Sequence, residues 1–137
     1  MDAAWVDGPA LFQVSVSISS GAMEVQIFGV RKNADTRKAL RFFSERRIKT
    51  HFVDLDERAA SLGELRRFAQ KFGIGALIDS TSQVFQELGL RHARMSDESW
   101  LDKLVDEPVL LRIPLVRTGN QLTVGLDEAT WKVWSGR

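Results

Sequence analysis

The sequence predicts an α/β domain with a mixed four-stranded sheet and a helical insertion between the two halves of that sheet. Three observations lead to this fold class. Residues 24–55 read as strand, amphipathic helix and strand, and such a βαβ unit pairs its strands in parallel through a right-handed crossover. Residues 61–107 carry the patterns of several helices. Residues 114–124 carry the pattern of a β-hairpin, which adds antiparallel strands to the same sheet.

The first half of the domain alternates strand and helix patterns. Glu24 to Val30 is a short apolar run with β-branched residues and predicts the first strand. Asp35 to Arg47 places apolar side chains on one stripe and charged side chains on the other, as an amphipathic helix does. Asn33 or Asp35 is the predicted N-cap of that helix. Thr50 to Leu55 predicts the second strand.

Three helices are predicted in the insertion. Ser61 and Glu64 match a capping box at the start of the first, and Gly73 ends it. Ser80 or Thr81 is the predicted cap of the second helix. The predicted bounds of the three helices are 61–72, 80–88 and 96–107.

The last third of the chain predicts a hairpin and a closing helix. The turn Thr118-Gly119-Asn120 separates two strand patterns, at 114–117 and 122–124, and its composition is typical of a hairpin. Residues 127–134 then predict a final helix. The complete order of elements is that of a thioredoxin-type fold with a helical insertion.

The tryptophans and histidines could serve a function, but the sequence favours structural roles for them. Trp100, Trp131 and Trp134 lie at helical positions and are predicted to pack in the core, with Trp134 also a candidate contact for a partner. His51 and His92 are the only histidines, and neither has a second ligand at metal spacing, so no metal site is predicted.

The composition fits one globular domain. The chain has 137 residues, of which 44% are hydrophobic and 27% charged, as is ordinary for a domain with its own core. The net charge is +1, so no overall field indicates a nucleic acid or a membrane as partner. The sequence contains no cysteine, which excludes disulfides, thiolate metal sites and thiol chemistry of the chain's own. It also contains no apolar stretch near the roughly 20 residues of a membrane span.

The first 22 residues differ from the rest. They contain no lysine or arginine and so lack the positive start of a signal peptide. Met23 directly precedes the first clear strand and is interpreted as the natural start, with residues 1–22 as a leader and residues 23–137 as the domain. The alternative rests on Gln13 to Ser20, where valine and isoleucine alternate with polar residues as in an extra edge strand.

The loop after the first strand carries a family resemblance. Phe28 to Ala39 reads Phe-Gly-Val-Arg-Lys-Asn-Ala-Asp-Thr-Arg-Lys-Ala and resembles the first loop of the arsenate reductase-like family, which includes ArsC, Spx and YffB-type proteins. The family pattern is an aromatic residue, four loop residues, a cysteine and a helix that often starts Asp-Thr-x-Lys-Lys-Ala. Counting from Phe28 places Asn33 at the cysteine position, and an alternative count places Ala34 there. Further similarity lies at residues 51–55, 76–79, 106–117 and 123–125.

The resemblance covers about residues 23–131 and implies a thioredoxin-like fold of the ArsC subtype, related to glutaredoxins, in a cytoplasmic bacterial protein. It also implies that Pro114 follows a cis peptide bond and faces the loop.

Two positions depart from the family pattern, because Asp79 and Ile113 stand where arsenate reductases commonly have arginine. An arsenate anion would lose two cations and meet a carboxylate, so the sequence argues against arsenate reduction.

The chemistry of the loop leaves two interpretations open. A helix N-terminus stabilises a thiolate through its unpaired amides and partial positive charge, but the amide of Asn33 does not ionise, and no catalytic residue is predicted. Asn33 and Asp35 either cap the helix alone or border a retained pocket for an anion or a small thiol. The candidate pocket residues are Arg31, Lys32, Asn33, Thr36, Arg112, Pro114 and Arg117. Strand alternation argues against both Arg112 and Arg117 pointing into the loop.

Three functional hypotheses follow. The first is a non-catalytic family member that binds a protein partner, as the resemblance to Spx-type proteins, which bind RNA polymerase, implies. The second is a glutathione-type oxidoreductase whose sulfur comes from a bound small thiol, with glutathione as the only candidate cofactor. The third is a degenerate paralogue whose role has little to do with the old site.

A cluster of cations surrounds the first helix: Arg31, Lys32, Arg37, Lys38 and Arg41. It is interpreted either as a solvated face or as an interaction surface. Direct nucleic-acid binding is disfavoured because no stacking motif accompanies the cluster.

Overall fold

The computed structural model describes residues 23–136. The predicted leader, residues 1–22, and the alternative edge strand at residues 13–20 lie outside them. The strands are β1 (Glu24–Gly29), β2 (Lys49–Asp54), β3 (Leu115–Thr118) and β4 (Gln121–Val124). They form one sheet in the order β2-β1-β3-β4, with β1 and β2 parallel and the other pairs antiparallel. The predicted mixed four-stranded sheet is therefore confirmed.

Helices cover both faces of this sheet. They are α1 (Ala34–Glu45), α2 (Leu62–Phe72), α3 (Gln83–Glu87), α4 (Asp97–Asp106) and α5 (Glu128–Ser135), with 3-10 turns at Ile74–Leu77, Leu90–His92 and Pro108–Leu110. One core cluster joins β1 to α1 and α5, and a larger cluster joins the sheet to α2 and α4. No helix within residues 23–136 is long and apolar enough to cross a membrane.

Strand β1 lies between the two core clusters. Its side chains alternate, so that Val25 and Ile27 pack towards α1 and α5 while Phe28 packs towards α2. All three are buried, because a central strand with helices on both faces has no solvated side. The loop that leaves β1 is therefore attached to a strand that is buried on both faces.

Helix α1 ends earlier than the periodicity predicts. The predicted end at Arg47 is wrong, because the helix stops at Glu45 and Arg47 adopts a left-handed conformation with φ of 57°. The amides of Arg46 and Ile48 both turn back to the carbonyl of Phe43. This tight turn is what brings the chain into β2 beside β1.

The insertion confirms one predicted cap and corrects another. Ser61 and Glu64 form the capping box of α2. The amide of Ser61 donates to the Glu64 carboxylate over 2.8 Å, and the amide of Glu64 donates to the Ser61 hydroxyl over 3.1 Å. The predicted start of α3 at Ser80 or Thr81 is wrong, since the helix begins at Gln83 with Ser82 as its N-cap. The carboxylate of Asp79 accepts from both the amide and the hydroxyl of Thr81, and this local turn delays the helix.

The hairpin confirms its predicted turn. Gly119 has a φ of 57°, a conformation that glycine adopts without steric cost. The first hairpin strand begins at Leu115, one residue later than predicted, because Pro114 has no amide proton to donate to a neighbouring strand. The Ile113–Pro114 peptide bond is cis, as the family resemblance implies.

Candidate functional site

The loop between β1 and α1 is a short turn that ends in a capped helix. The amide of Asn33 donates to the carbonyl of Val30 over 3.1 Å. The Asn33 side chain then accepts from the amide of Thr36 over 2.7 Å, which makes Asn33 the N-cap of α1. Asparagine is among the best residues for this position. The structure therefore gives a structural role to Asn33, one of the two residues predicted to stand at the family cysteine position.

Replacing Asn33 with alanine is expected to lower the free energy of unfolding by about 1 kcal/mol, because the Thr36 amide loses its acceptor. Replacement with serine, which caps equally well, should leave the free energy of unfolding nearly unchanged. Urea denaturation of the full chain followed by circular dichroism measures both values. An equal loss in the two variants would contradict the capping role.

Thr36 fixes the start of α1 against the end of β1. Its side chain is fully buried and lies so close to Gly29 that a side chain at Gly29 would collide with its Oγ1 and Cγ2 atoms. The Thr36 hydroxyl has no hydrogen-bond partner among the described residues. The contact between Gly29 and Thr36 therefore sets the path of the loop that connects them.

A cleft of about 550 Å³ opens beside this loop. Three chain segments besides the loop form its walls: the end of β2, the turn before α3 and the stretch before β3. Its lining residues are Val30, Lys32, Asn33, Leu55, Asp56, Asp79, Ser82, Pro108, Val109, Leu111 and Ile113. The cleft lies where the resemblance places the active site of the family.

The charges of the cleft do not suit an oxyanion. Among the described residues, Lys32 is the only cation that lines it, whereas Asp56 and Asp79 are both acidic. The carboxylate of Asp79 already accepts two hydrogen bonds from Thr81, at 3.1 Å from the amide nitrogen and 2.6 Å from the hydroxyl. Two carboxylates repel an anion, and the rest of the lining is mostly apolar. The cleft can therefore hold an apolar or cationic group better than arsenate or sulfate.

Only two of the seven predicted pocket residues, Lys32 and Asn33, line this cleft. Arg31 instead lies over β2, with its guanidinium carbon 4.9 Å from the ring centre of Phe52 and its Nε 3.8 Å from the carboxylate of Asp54. Its own carbonyl accepts from the guanidinium of Arg37 over 2.9 Å. Arg31 is thereby held at the outer edge of the sheet.

The three predicted residues near β3 also lie outside the cleft lining. The guanidinium of Arg112 donates to the carbonyl of Ile78 over 3.4 Å, and that of Arg117 donates to the carbonyl of Gly119 over 3.1 Å. Pro114 is buried, and its carbonyl accepts from the amide of Gly125 over 2.8 Å. Thr36, as described above, lies beneath the loop.

The structure adds lining residues that the sequence did not single out for the site. Leu55 and Asp56 directly follow β2, and one signal could have found them, because the carboxyl ends of parallel neighbouring strands meet at one edge of a sheet. Ser82, Pro108 and Val109 come from the insertion, for which no local pattern indicates a position at the loop. The described residues contain no group of three or more histidine, aspartate or glutamate side chains placed to hold a metal ion.

The chain is similar in sequence to known proteins. The model of the ArsC family matches residues 28–134. An arsenate reductase of Neisseria meningitidis serogroup A is 27% identical over 105 residues, which is 74% of this chain and 90% of that protein. The YusI protein of Bacillus subtilis is 24% identical over 110 residues, covering 77% of this chain and 93% of YusI.

Solved structures show the same fold. A YffB protein superposes with a TM-score of 0.74 at 16% identity, covering 80% of this chain and 96% of its own. An arsenate reductase from Vibrio cholerae superposes with a TM-score of 0.69 at 24% identity, covering 75% of this chain and 90% of its own. At these identities the likeness concerns the fold, and it confirms the predicted fold subtype.

Proposed function

Since this chain belongs to the ArsC family, we propose that it keeps the family fold as a protein-binding module and does no chemistry at the family's catalytic position. The observation that carries the proposal is the state of Asn33. A carboxamide does not ionise and is a poor nucleophile, and the Asn33 oxygen is engaged with the Thr36 amide. The whole sequence contains no cysteine that could replace it. The scaffold is thus retained while the reacting group is absent.

The lining of the cleft supports binding of a protein segment over an oxyanion. Val109 at the cleft is 53% exposed, and it stands beside further apolar lining residues such as Leu111 and Ile113. Concave apolar surfaces with a few polar groups are where proteins hold ligands and peptide side chains. The acidic side chains Asp56 and Asp79 would favour a cationic residue next to an apolar one in the bound segment.

A small thiol such as glutathione is the second candidate. An open cleft of about 550 Å³ beside the loop favours it. Lys32 and Asn33 stand at the cleft beside the first turn of α1. The amides of Ala34 and Asp35 find no acceptor within residues 23–136, as is usual for a helix N-terminus, where such amides attract anions. A glutathione carboxylate could pair with these amides, whereas Asp56 and Asp79 would oppose it.

Two measurements on the full chain separate these candidates. Arsenate reduction with glutathione and glutaredoxin as reductants should proceed at the rate without protein, with an active arsenate reductase as the positive control. Titration with glutathione, arsenate and sulfate should leave the amide resonances of Arg31 to Thr36 in place up to millimolar ligand. Saturable shifts of that loop by glutathione would favour the second candidate, and turnover above background would overturn the proposal.

A positive test of protein binding uses the exposed Val109. A photo-reactive amino acid at Val109 is expected to crosslink a discrete protein in cells of the source organism. That protein, once purified, should bind the full chain in calorimetry, and Val109→Asp should weaken binding at least about tenfold because a charge would be buried at the contact. Val133→Asp, at the 80% exposed Val133 on α5, is the matched control and should bind like the wild type. Equal weakening by both variants would contradict a contact at the cleft.

A further inference from the structure

A second concave surface lies between α1 and α5, and residues of both helices line it. This α1–α5 groove has a volume of about 310 Å³. Helix α1 contributes Lys38, Arg41, Phe42 and Glu45, and helix α5 contributes Glu128 and Lys132. Arg46, which caps the end of α1, completes the lining. None of these residues lines the loop cleft.

The groove carries an excess of positive charge. Four of its lining residues are cationic and two are acidic. Lys38, Arg41 and Lys132 are exposed, and none of them forms an ion pair with another residue in the described part of the chain. Clustered like charges on one surface repel each other, and a partner of opposite charge relieves that repulsion.

Arg46 gives the groove a preorganised cation. Its guanidinium carbon lies 3.6 Å from the ring centre of Phe42, and its Nη1 donates to the Phe42 carbonyl over 3.1 Å. Phe42 is itself fixed, since its ring packs 5.5 Å from the ring of the fully buried Trp131. A guanidinium held in this way loses less conformational freedom on binding than a mobile lysine does. The floor of the groove is therefore held by packing and a hydrogen bond, while its rim carries exposed cations.

We infer that the α1–α5 groove binds an acidic segment of a protein partner. Glu45 and Glu128 favour a protein partner over a nucleic acid, because these two carboxylates lie among the cations of the groove. A nucleic-acid backbone presents closely spaced phosphates, and some of these would meet the two carboxylates. A peptide can space its own carboxylates to match Lys38, Arg41 and Lys132. The Phe42 ring also offers no stacking platform for a base, since it is 5% exposed and Arg46 covers it.

The inference rests on the proposed function in one respect, because both assume a protein partner. The two can nevertheless fail separately. Arsenate turnover or a loop that binds glutathione would overturn the proposed function without touching the groove. The test of the groove asks whether binding depends on the negative charge of a peptide and whether the amide resonances of groove residues shift. Neither observation involves the loop.

The test is a titration of the full chain with a synthetic ten-residue peptide of alternating glutamate and alanine, followed by amide resonances and by fluorescence anisotropy. Shifts are expected at α1 residues 38–46 and at α5 residues 128–132. The same peptide with glutamine in place of glutamate should not bind. The double variant K38Q/R41Q should weaken binding about fivefold at low salt. The effect is moderate because each exposed ion pair with the peptide contributes only a small part of the binding free energy, and salt screens it.

The matched control is R91Q/R94Q, which removes the same charge from exposed arginines outside the groove and should bind the peptide like the wild type. Equal weakening by the two double variants would mean that only net charge matters, and would overturn the inference. Tighter binding of a ten-nucleotide oligothymidylate at the same residues would also overturn it, in favour of a nucleic acid. Shifts of residues 1–22 in K38Q/R41Q without peptide would also overturn the inference, because residues 1–22, which carry two aspartates and no lysine or arginine, would then be the occupant.

Discussion

Replacing Trp131 with alanine is expected to lower the free energy of unfolding by about 3–5 kcal/mol, the usual range for a buried aromatic residue. Trp131 is fully buried, and its ring lies 5.4 Å from that of Phe43 and 5.5 Å from that of Phe42. Its indole nitrogen donates to the hydroxyl of Thr123 over 2.8 Å, so truncation also leaves a buried hydroxyl unpaired. Urea denaturation of the full chain followed by circular dichroism measures the change.

Milder variants keep this prediction testable if the alanine variant does not fold. Trp131→Phe should lose less, and adding Thr123→Val should recover part of the loss, because the second change removes the unpaired hydroxyl. Val133 lies on the same helix but is 80% exposed, so Val133→Ala should change the free energy of unfolding by less than about 0.5 kcal/mol. A Trp131→Ala loss no larger than that of the Val133 variant would contradict the assigned packing.

Replacing Gly29 with alanine is expected to lower the free energy of unfolding by about 2–3 kcal/mol, because buried overpacking forces atoms apart. A Cβ at Gly29 would lie 2.7 Å from Cγ2 and 3.1 Å from Cβ of Thr36, and would overlap its Oγ1. Both residues are buried, so neither can yield without moving the start of α1 relative to β1. Urea denaturation gives the size of the effect, and the amide resonances of residues 30–33 report the displaced loop.

The cause can be isolated with a second substitution. Thr36→Ala removes the two nearest atoms, so the Gly29→Ala cost should fall by at least about 1 kcal/mol in a Thr36→Ala background. The control is Gly75→Ala, because a Cβ at Gly75 meets no atom within 4 Å, and its effect should be within about 0.5 kcal/mol. Identical Gly29→Ala costs with and without Thr36 would show that the strain lies elsewhere.

Local patterns in the sequence predicted most elements of the fold. The capping box of α2 and the N-cap Asn33 involve residues three positions apart, and interactions at that range are encoded in adjacent sequence. The errors arose where competing hydrogen bonds decide an end. The turn at Asp79 delays α3, and the Phe43 carbonyl ends α1 before Arg47. Periodicity alone does not show which of two local arrangements forms.

The candidate site was predictable only in part. Lys32 and Asn33 were found because they lie on the loop itself. Arg31 was predicted because it lies on the same loop, and Arg117 because it is close in sequence to Pro114. Arg31 is instead drawn to Phe52 and Asp54 on β2, and the Arg117 guanidinium binds its own hairpin at Gly119. A long cationic side chain goes to the nearest acceptor or aromatic face that the fold offers, and those partners are set by strand neighbours distant in sequence.

The sequence by itself determined that the chain has no thiol and that a βαβ unit presents a helix start with a capping residue, Asn33 or Asp35, after its first strand, because composition and short-range hydrogen bonding need no knowledge of the fold. Only the tertiary structure decided the character of the two concave surfaces. The cleft forms where the turn near Asp79 and the stretch around Val109 pack beside Asn33. The groove forms where Lys132 on α5 comes to lie beside Lys38 on α1. Such contacts depend on how distant segments pack in three dimensions, and no local pattern in the chain records that packing.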